Sequence, residues 1–160
     1  MLTMKNYANR AAPALTLLIM CFWGCSFAAG KSATVIPSAE LIQPADLAAS
    51  LRHPSSAKPL ILQVGFRKLY DQAHIPGAEY AGPASGTEGL RVLRERVVKL
   101  PKAAAIVIYC GCCPWNRCPN IAEAYDTLHA LGFSNLKVLY IADNFGSDWV
   151  DKGFPTTIGK

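Results

Sequence analysis

Residues 106–120 read IVIYCGCCPWNRCPN, a β-branched apolar run that leads into a cysteine and then into a loop. The run is typical of a buried strand, and Pro119 suits the first turn of a helix. A cysteine at this junction meets free backbone N–H groups and a helix N-terminus, both of which favour a thiolate. With four cysteines within nine residues, the segment is the predicted chemical centre of the chain.

The rest of the chain predicts strands that alternate with helices. Strands are predicted over 60–64, 105–109 and 137–141, and helices over 43–51, 88–100, 119–131 and 148–152. Between the first of these strands and the helix at 88–100, residues 65–89 are predicted to be rich in loops. Alternating elements imply right-handed crossovers and a parallel sheet that helices cover on both faces. Ligands of such sheets lie at the carboxyl ends of the strands, which is where Cys110 is expected.

The first 28 residues have the pattern of a secretory signal peptide. Lys5 and Arg10 are their only charges, an apolar run covers 11–27, and small residues flank position 27. A lipidated Cys25 and an uncleaved membrane anchor are the alternatives. All three predict an exported, periplasmic or extracellular domain, with membrane contact only through this segment. Residues 29–37 are then a linker and residues 38–160 the domain.

The charge of the chain argues against a nucleic-acid partner. The formal net charge is +5, and loss of Lys5 and Arg10 with the signal peptide lowers it to +3. The basic residues between 91 and 102 are interpreted as the solvated side of one helix. Because no basic surface interleaved with aromatic residues accompanies them, no nucleic-acid binding is expected.

Three motifs in order resemble the rhodanese-like domain family over residues 38–158. They are HIPGA at 74–78, the strand and cysteine at 106–110, and DWVDKGFP at 148–155. The resemblance implies an α/β fold of three layers, with a central parallel sheet flanked by helices. One departure is QVG at 63–65, where many members of the family have Asp-Val-Arg. The cysteine loop is the second departure, since it is longer than the family's short form.

The resemblance also implies sulfurtransferase chemistry at Cys110. Its thiolate would take a sulfane sulfur from a small-molecule donor, hold it as a persulfide, and pass it to a thiol or another thiophilic acceptor. No cofactor and no metal are expected for this reaction. His74, which lies in the first motif, is expected to be structural rather than a general base. The predicted substrate-binding loop consists of Gly111, Cys112, Cys113, Trp115, Asn116 and Arg117.

The extra cysteines leave other functions open. A thiol–disulfide redox protein would cycle Cys110 or Cys118 against Cys112 or Cys113. A non-enzymatic metal-binding module would hold zinc or copper(I) through the cysteine cluster. Cys112 and Cys113 are alternative nucleophiles, and Cys112, Cys113 and Cys118 are candidates for a resolving or disulfide-forming role. A purely structural disulfide that staples the long loop is the simplest alternative.

Overall fold

The computed structural model describes residues 34–53 and 58–159. The predicted signal peptide, residues 1–28, lies outside the described residues, as do residues 29–33 of the predicted linker. Five strands are β1 (Leu41–Ile42), β2 (Leu60–Gln63), β3 (Glu79–Tyr80), β4 (Ile106–Tyr109) and β5 (Leu136–Leu139). They form one parallel sheet in the order β1-β5-β4-β2-β3. The predicted α/β class with a central parallel sheet is therefore confirmed.

In the described part of the chain, four α-helices accompany the sheet: α1 (Pro44–Arg52), α2 (Arg67–Gln72), α3 (Thr87–Val97) and α4 (Pro119–Ala130). Pro44 and Pro119 each occupy the first turn of their helix, where the missing N–H costs no intrahelical bond. Within the described residues, no helix combines the length and the apolar character needed to cross a bilayer.

The secondary-structure prediction missed three short elements. The stretch 65–89 contains α2 and β3, and β1 was not predicted at all. Strands of two residues carry too little sequence for a periodicity, and β1 and β3 form only because a neighbouring strand pairs with them. The last predicted helix, 148–152, is a π-helical turn at Gly146–Val150.

The two faces of β4 explain why its sequence is apolar at every position. Ile106 and Ile108 pack in a cluster with α3 and α4, whereas Val107 and Tyr109 pack on the other face with α1 and Trp149. A strand that is covered on both sides needs an unbroken apolar run. Cys110 continues the alternation and belongs to the cluster on the α4 side.

The register of the sheet brings two strand ends together. Gln63 at the end of β2 is paired with Tyr109 at the end of β4, and the Val64 N–H bonds the Tyr109 carbonyl at 2.8 Å. The chain segments that begin at Gly65 and Cys110 therefore leave the sheet side by side. This edge is where a parallel sheet holds its ligands.

Candidate active site

Cys110 is the first residue after β4, and its backbone is tied to β2. The Gln63 side chain donates from Nε2 to the Cys110 carbonyl at 3.3 Å and accepts the Gly65 N–H at Oε1 at 3.2 Å. Gln63 is 2% exposed and Cys110 is 3% exposed. A buried amide with both ends bonded fixes the point at which the cysteine loop begins.

Two glycines make room for this geometry. A Cβ at Gly65 would lie 2.8 Å from the Cys110 sulfur, so any larger residue would displace the thiol. Gly111 has a φ of +72°, and a Cβ there would lie 2.6 Å from the Cβ of Phe145. The sequence analysis selected Gly111 but assigned no role to Gly65. The only signal for Gly65 was the departure from Asp-Val-Arg at 63–65.

The structure gathers the sulfur atoms of the loop into one cluster. The Cys110 and Cys112 sulfurs are 3.0 Å apart, and those of Cys112 and Cys113 are 3.3 Å apart. Asn120 Nδ2 donates to both Cys110 and Cys112 at 3.5 Å. The Cys110, Cys112 and Cys118 sulfurs all lie within 4.8 Å of one another. All four cysteines of the loop are free thiols.

Asn120 is a member of this cluster that the sequence analysis missed. It is 1% exposed, and its Oδ1 accepts the Ser85 N–H at 2.9 Å while its Nδ2 faces the two sulfurs. The residue belongs to the first turn of α4. A sequence does not reveal which side of a helix start faces a neighbouring loop, so no local pattern could have identified it.

The cluster distributes charge unequally between Cys110 and Cys112. The pKa of Cys112 is lowered to about 5, first because the Cys110 thiol donates to its sulfur, with Cys113, Asn120 and Cys118 as further donors. The pKa of Cys110 is raised because its thiol bonds Cys112 and Cys118 and because its sulfur is buried. The shared hydrogen bond therefore favours the thiolate on the half-buried Cys112 and the thiol on Cys110.

The other two cysteines differ in the same way. The Cys110 thiol lowers the pKa of Cys118 to about 7, with help from the backbone N–H of Ile121 at the start of α4. Burial raises the pKa of Cys113, and its bonds to Cys112 and Cys118 raise it further.

The sulfurs of Cys110, Cys112 and Cys118 lie close enough together to form a metal donor set. Three thiols at this separation suit a soft ion such as copper(I) or zinc.

A pocket of about 370 Å³ opens at this edge of the sheet. Cys110, Gly111 and Cys112 line it from the loop. Gln63, Tyr109 and Phe145 also line it. A small molecule in this pocket would therefore lie beside Cys110 and Cys112, the residues whose sulfurs share the 3.0 Å contact.

The remaining residues of the predicted binding loop do not line this pocket, although Cys113 and Trp115 line a small cavity together with Cys110. Trp115, Asn116 and Arg117 form a 3-10 turn that lines a second groove of about 640 Å³, on the side of Cys118. The Trp115 ring lies 5.0 Å from the Tyr140 ring, and its backbone N–H bonds the Ala142 carbonyl at 2.9 Å. The structure thus brings Gly111 and Cys112 to the pocket with Cys110, and it places Arg117 in a different cleft.

His74 lies apart from the thiols. Its Nδ1 donates to the Tyr70 carbonyl at 2.8 Å, because a carbonyl can only accept, and its ring stacks on the Tyr70 ring at 4.0 Å. His74 is 4% exposed and does not line the pocket at Cys110. These contacts agree with the structural role expected for it.

The molecule is therefore an α/β protein with a parallel sheet. Its central strand, β4, is followed directly by a cysteine beside a pocket, where the carboxyl ends of the strands lie. The rhodanese-like domain of an Anabaena protein is 22% identical, covers 74% of this chain and 79% of its own, and has a TM-score of 0.55. A Bacillus halodurans protein is 20% identical, with coverages of 73% and 75% and a TM-score of 0.56. A Lactobacillus plantarum protein is 16% identical, with coverages of 75% and 88% and a TM-score of 0.54.

These similarities establish the fold: the chain has the rhodanese-like fold. No protein-family model matches the sequence, and no curated protein matches it. The rhodanese-like fold that the three sequence motifs predicted is therefore confirmed by the structural similarities, at sequence identities of 16–22%.

Proposed function

We propose that the domain is a sulfurtransferase or persulfide carrier that holds a sulfane sulfur on a loop cysteine. The observation that carries the proposal is the Cys110–Cys112 pair, whose sulfurs are 3.0 Å apart and whose residues both line the pocket at the end of β4. A thiolate attacks the outer sulfur of a donor such as thiosulfate, expels sulfite and becomes a persulfide. An acceptor thiol or cyanide then removes the outer sulfur and restores the thiolate.

Position and charge favour different members of the pair. Cys110 was predicted as the nucleophile because it follows β4 directly, and its sulfur lies at the buried end of the pair. Cys112 has the lowered pKa and the greater exposure, so it is the sulfur that is ionised near neutral pH. We assign the attack to Cys112, with Cys110 as the donor that keeps Cys112 ionised.

The proposed location and partners rest on the sequence. The signal-peptide pattern of residues 1–28 supports export, and the pocket volume of about 370 Å³ suits a small sulfur donor.

The 3.0 Å contact between the Cys110 and Cys112 sulfurs favours a second candidate, a thiol–disulfide redox protein, because two cysteines at this separation need little movement to form a bond.

Intact-mass measurement of the full chain tests the proposal. Cys21 and Cys25 are first replaced by serine, so that the loop holds the only thiols. The reduced protein, Cys110→Ser and Cys112→Ser are each exposed to thiosulfate and then to cyanide. We expect one form at least to gain a single sulfur atom that cyanide removes as thiocyanate. If none of the three forms gains sulfur or releases sulfide, the sulfurtransferase proposal is wrong. Oxidation with neither a sulfur adduct nor sulfide release favours the redox protein.

A further inference from the structure

We propose that Cys110 discharges the persulfide of Cys112 internally, which releases hydrosulfide and leaves a Cys110–Cys112 disulfide. The inference rests on the function proposed above and adds a product to it. The domain would then reduce one sulfane sulfur per chain to sulfide without any external acceptor, and the two cysteine thiols would supply the electrons. A dithiol reductant would be needed to reset it for a further cycle.

The separation of the two sulfurs carries the inference. They lie 3.0 Å apart, and a disulfide bond is about 2.0 Å long, so an approach of about 1 Å joins them. Gly111, with a φ of +72°, is the only residue between the two cysteines, so the chain segment that a bond would close is short. Asn120 Nδ2 lies 3.5 Å from each sulfur and holds the pair together from the α4 side.

Contact distance favours the internal acceptor over an external one. Cys110 is 3% exposed, and its sulfur lies 3.0 Å from the Cys112 sulfur, whereas an external thiol must first enter the pocket. Its nearest reaction partner is Cys112. A reactant held at contact distance competes as if it were present at a very high concentration.

The step balances in atoms and electrons. The Cys110 sulfur attacks the inner sulfur of the persulfide, which is the Cys112 Sγ, and the bond between the two persulfide sulfurs breaks. The outer sulfur leaves with the bonding electron pair and takes the proton of the Cys110 thiol, so it departs as hydrosulfide. Two cysteines are oxidised to a disulfide, and the sulfane sulfur is reduced to sulfide.

The other cysteines are less suited to this role. Cys113 is adjacent to Cys112 in the chain, and a disulfide between neighbouring residues is sterically poor. Cys118 lies within 4.8 Å of Cys110 and Cys112 and is the rival partner. The rival predicts a different disulfide, between Cys118 and Cys112.

The test measures sulfide, intact mass and disulfide position in one experiment. The full chain with Cys21→Ser and Cys25→Ser is reduced, freed of reductant and given thiosulfate without an acceptor. We expect one equivalent of sulfide, a protein lighter by two hydrogen atoms, and a peptide map that joins Cys110 to Cys112. Cys110→Ser should keep the added sulfur and release sulfide at least about tenfold more slowly. Cys118→Ser should still end with the Cys110–Cys112 disulfide.

The outcomes separate this inference from the proposed function. A wild-type loop that keeps the added sulfur and releases no sulfide would overturn the inference, and the sulfurtransferase would stand. A disulfide that maps to Cys118, or sulfide release from Cys110→Ser at the wild-type rate, would overturn it too. If no form takes sulfur or releases sulfide, the proposed function fails as well. Circular dichroism and Cys110→Ala, as a second variant, guard against a folding defect in Cys110→Ser.

Discussion

The cysteine loop and a second region, the C-terminal clamp, hold their polar atoms differently. The C-terminal clamp consists of His74, Trp149, Pro155 and Thr157. In the clamp, the Trp149 indole N–H bonds the Pro155 carbonyl at 2.9 Å, and the backbones of His74 and Thr157 bond each other twice. In the loop, the polar partners of the sulfurs are other sulfurs, the amide of Asn120 and, for Cys118, the backbone N–H of Ile121.

The difference shows where reactivity comes from. A side chain that donates its hydrogen bond to a backbone carbonyl is held in place and does not gain or lose a proton there. Sulfur atoms that hydrogen-bond one another stabilise a thiolate on one of them, and these contacts favour Cys112. Both regions were conspicuous in the sequence, but only the loop has the means to perform chemistry.

The largest effect should come from Trp149→Ala in the clamp. Trp149 is fully buried against Phe145 and Phe154, and its removal should lower the free energy of unfolding by about 3–5 kcal/mol. Urea denaturation measures the loss. Trp149→Phe, which keeps one aromatic ring but loses the five-membered ring of the indole and its N–H, should cost less than the alanine variant. A loss below about 1 kcal/mol for the alanine variant would contradict the role of the clamp in stability.

A large effect on the loop should come from Cys110→Ala. Because the Cys110 thiol is the main donor to the Cys112 sulfur, its removal should raise the pKa of Cys112 by at least about one unit. The rate of iodoacetamide alkylation at Cys112 follows the thiolate fraction. In the parent protein that rate should be flat from about pH 6 to about pH 8, since ionisation is complete above a pKa of about 5. In Cys110→Ala it should still rise in this range.

Cys110→Ser is the matched control for that measurement. Serine keeps a donor near Cys112, so its alkylation profile should lie between those of the parent and the alanine variant. Identical profiles for all three proteins would mean that Cys110 does not set the charge on Cys112. The measurement is made with Cys21, Cys25, Cys113 and Cys118 followed separately by peptide mapping.

His74→Phe tests whether the clamp and the loop are independent. Phenylalanine keeps the stack on Tyr70 and removes the bond from Nδ1 to the Tyr70 carbonyl, so stability should fall by about 1 kcal/mol. The alkylation profile of Cys112 should not change, because His74 does not line the pocket. A shift of that profile would instead make His74 a positioning residue for the thiols.

A smaller effect on the charge of Cys112 than that of Cys110→Ala should come from Asn120→Ala. Its donor distances of 3.5 Å to Cys110 and Cys112 are long, so the pKa of Cys112 should rise by less than in Cys110→Ala. Stability should fall by about 1 kcal/mol, because the Ser85 N–H loses its acceptor. A rise in the Cys112 pKa larger than that in Cys110→Ala would make Asn120, and not Cys110, the main determinant of the thiolate.

Much of the fold could be predicted because several of its strands and helices have a recognisable pattern of residues within their own sequence. The apolar run of β4, Pro119 in the first turn of α4 and the buried strand β2 each carry a signal within a few residues. The elements that were missed, β1, α2 and β3, are short and depend on their neighbours. Gly65 and Asn120 were missed because each acts on sulfur atoms that lie far from it in sequence.

Local sequence patterns are enough to predict that a strand leads through a cysteine into a loop in front of a helix, since apolar runs, glycines and prolines act on their own surroundings. Which sulfur is favoured as the thiolate depends on tertiary contacts. That choice depends on distances between sulfur atoms and on burial, and both arise when β2, β4 and α4 meet at one edge of the sheet. A pattern of four cysteines contains the sulfur atoms, but it does not contain the contacts that separate a thiol from a thiolate.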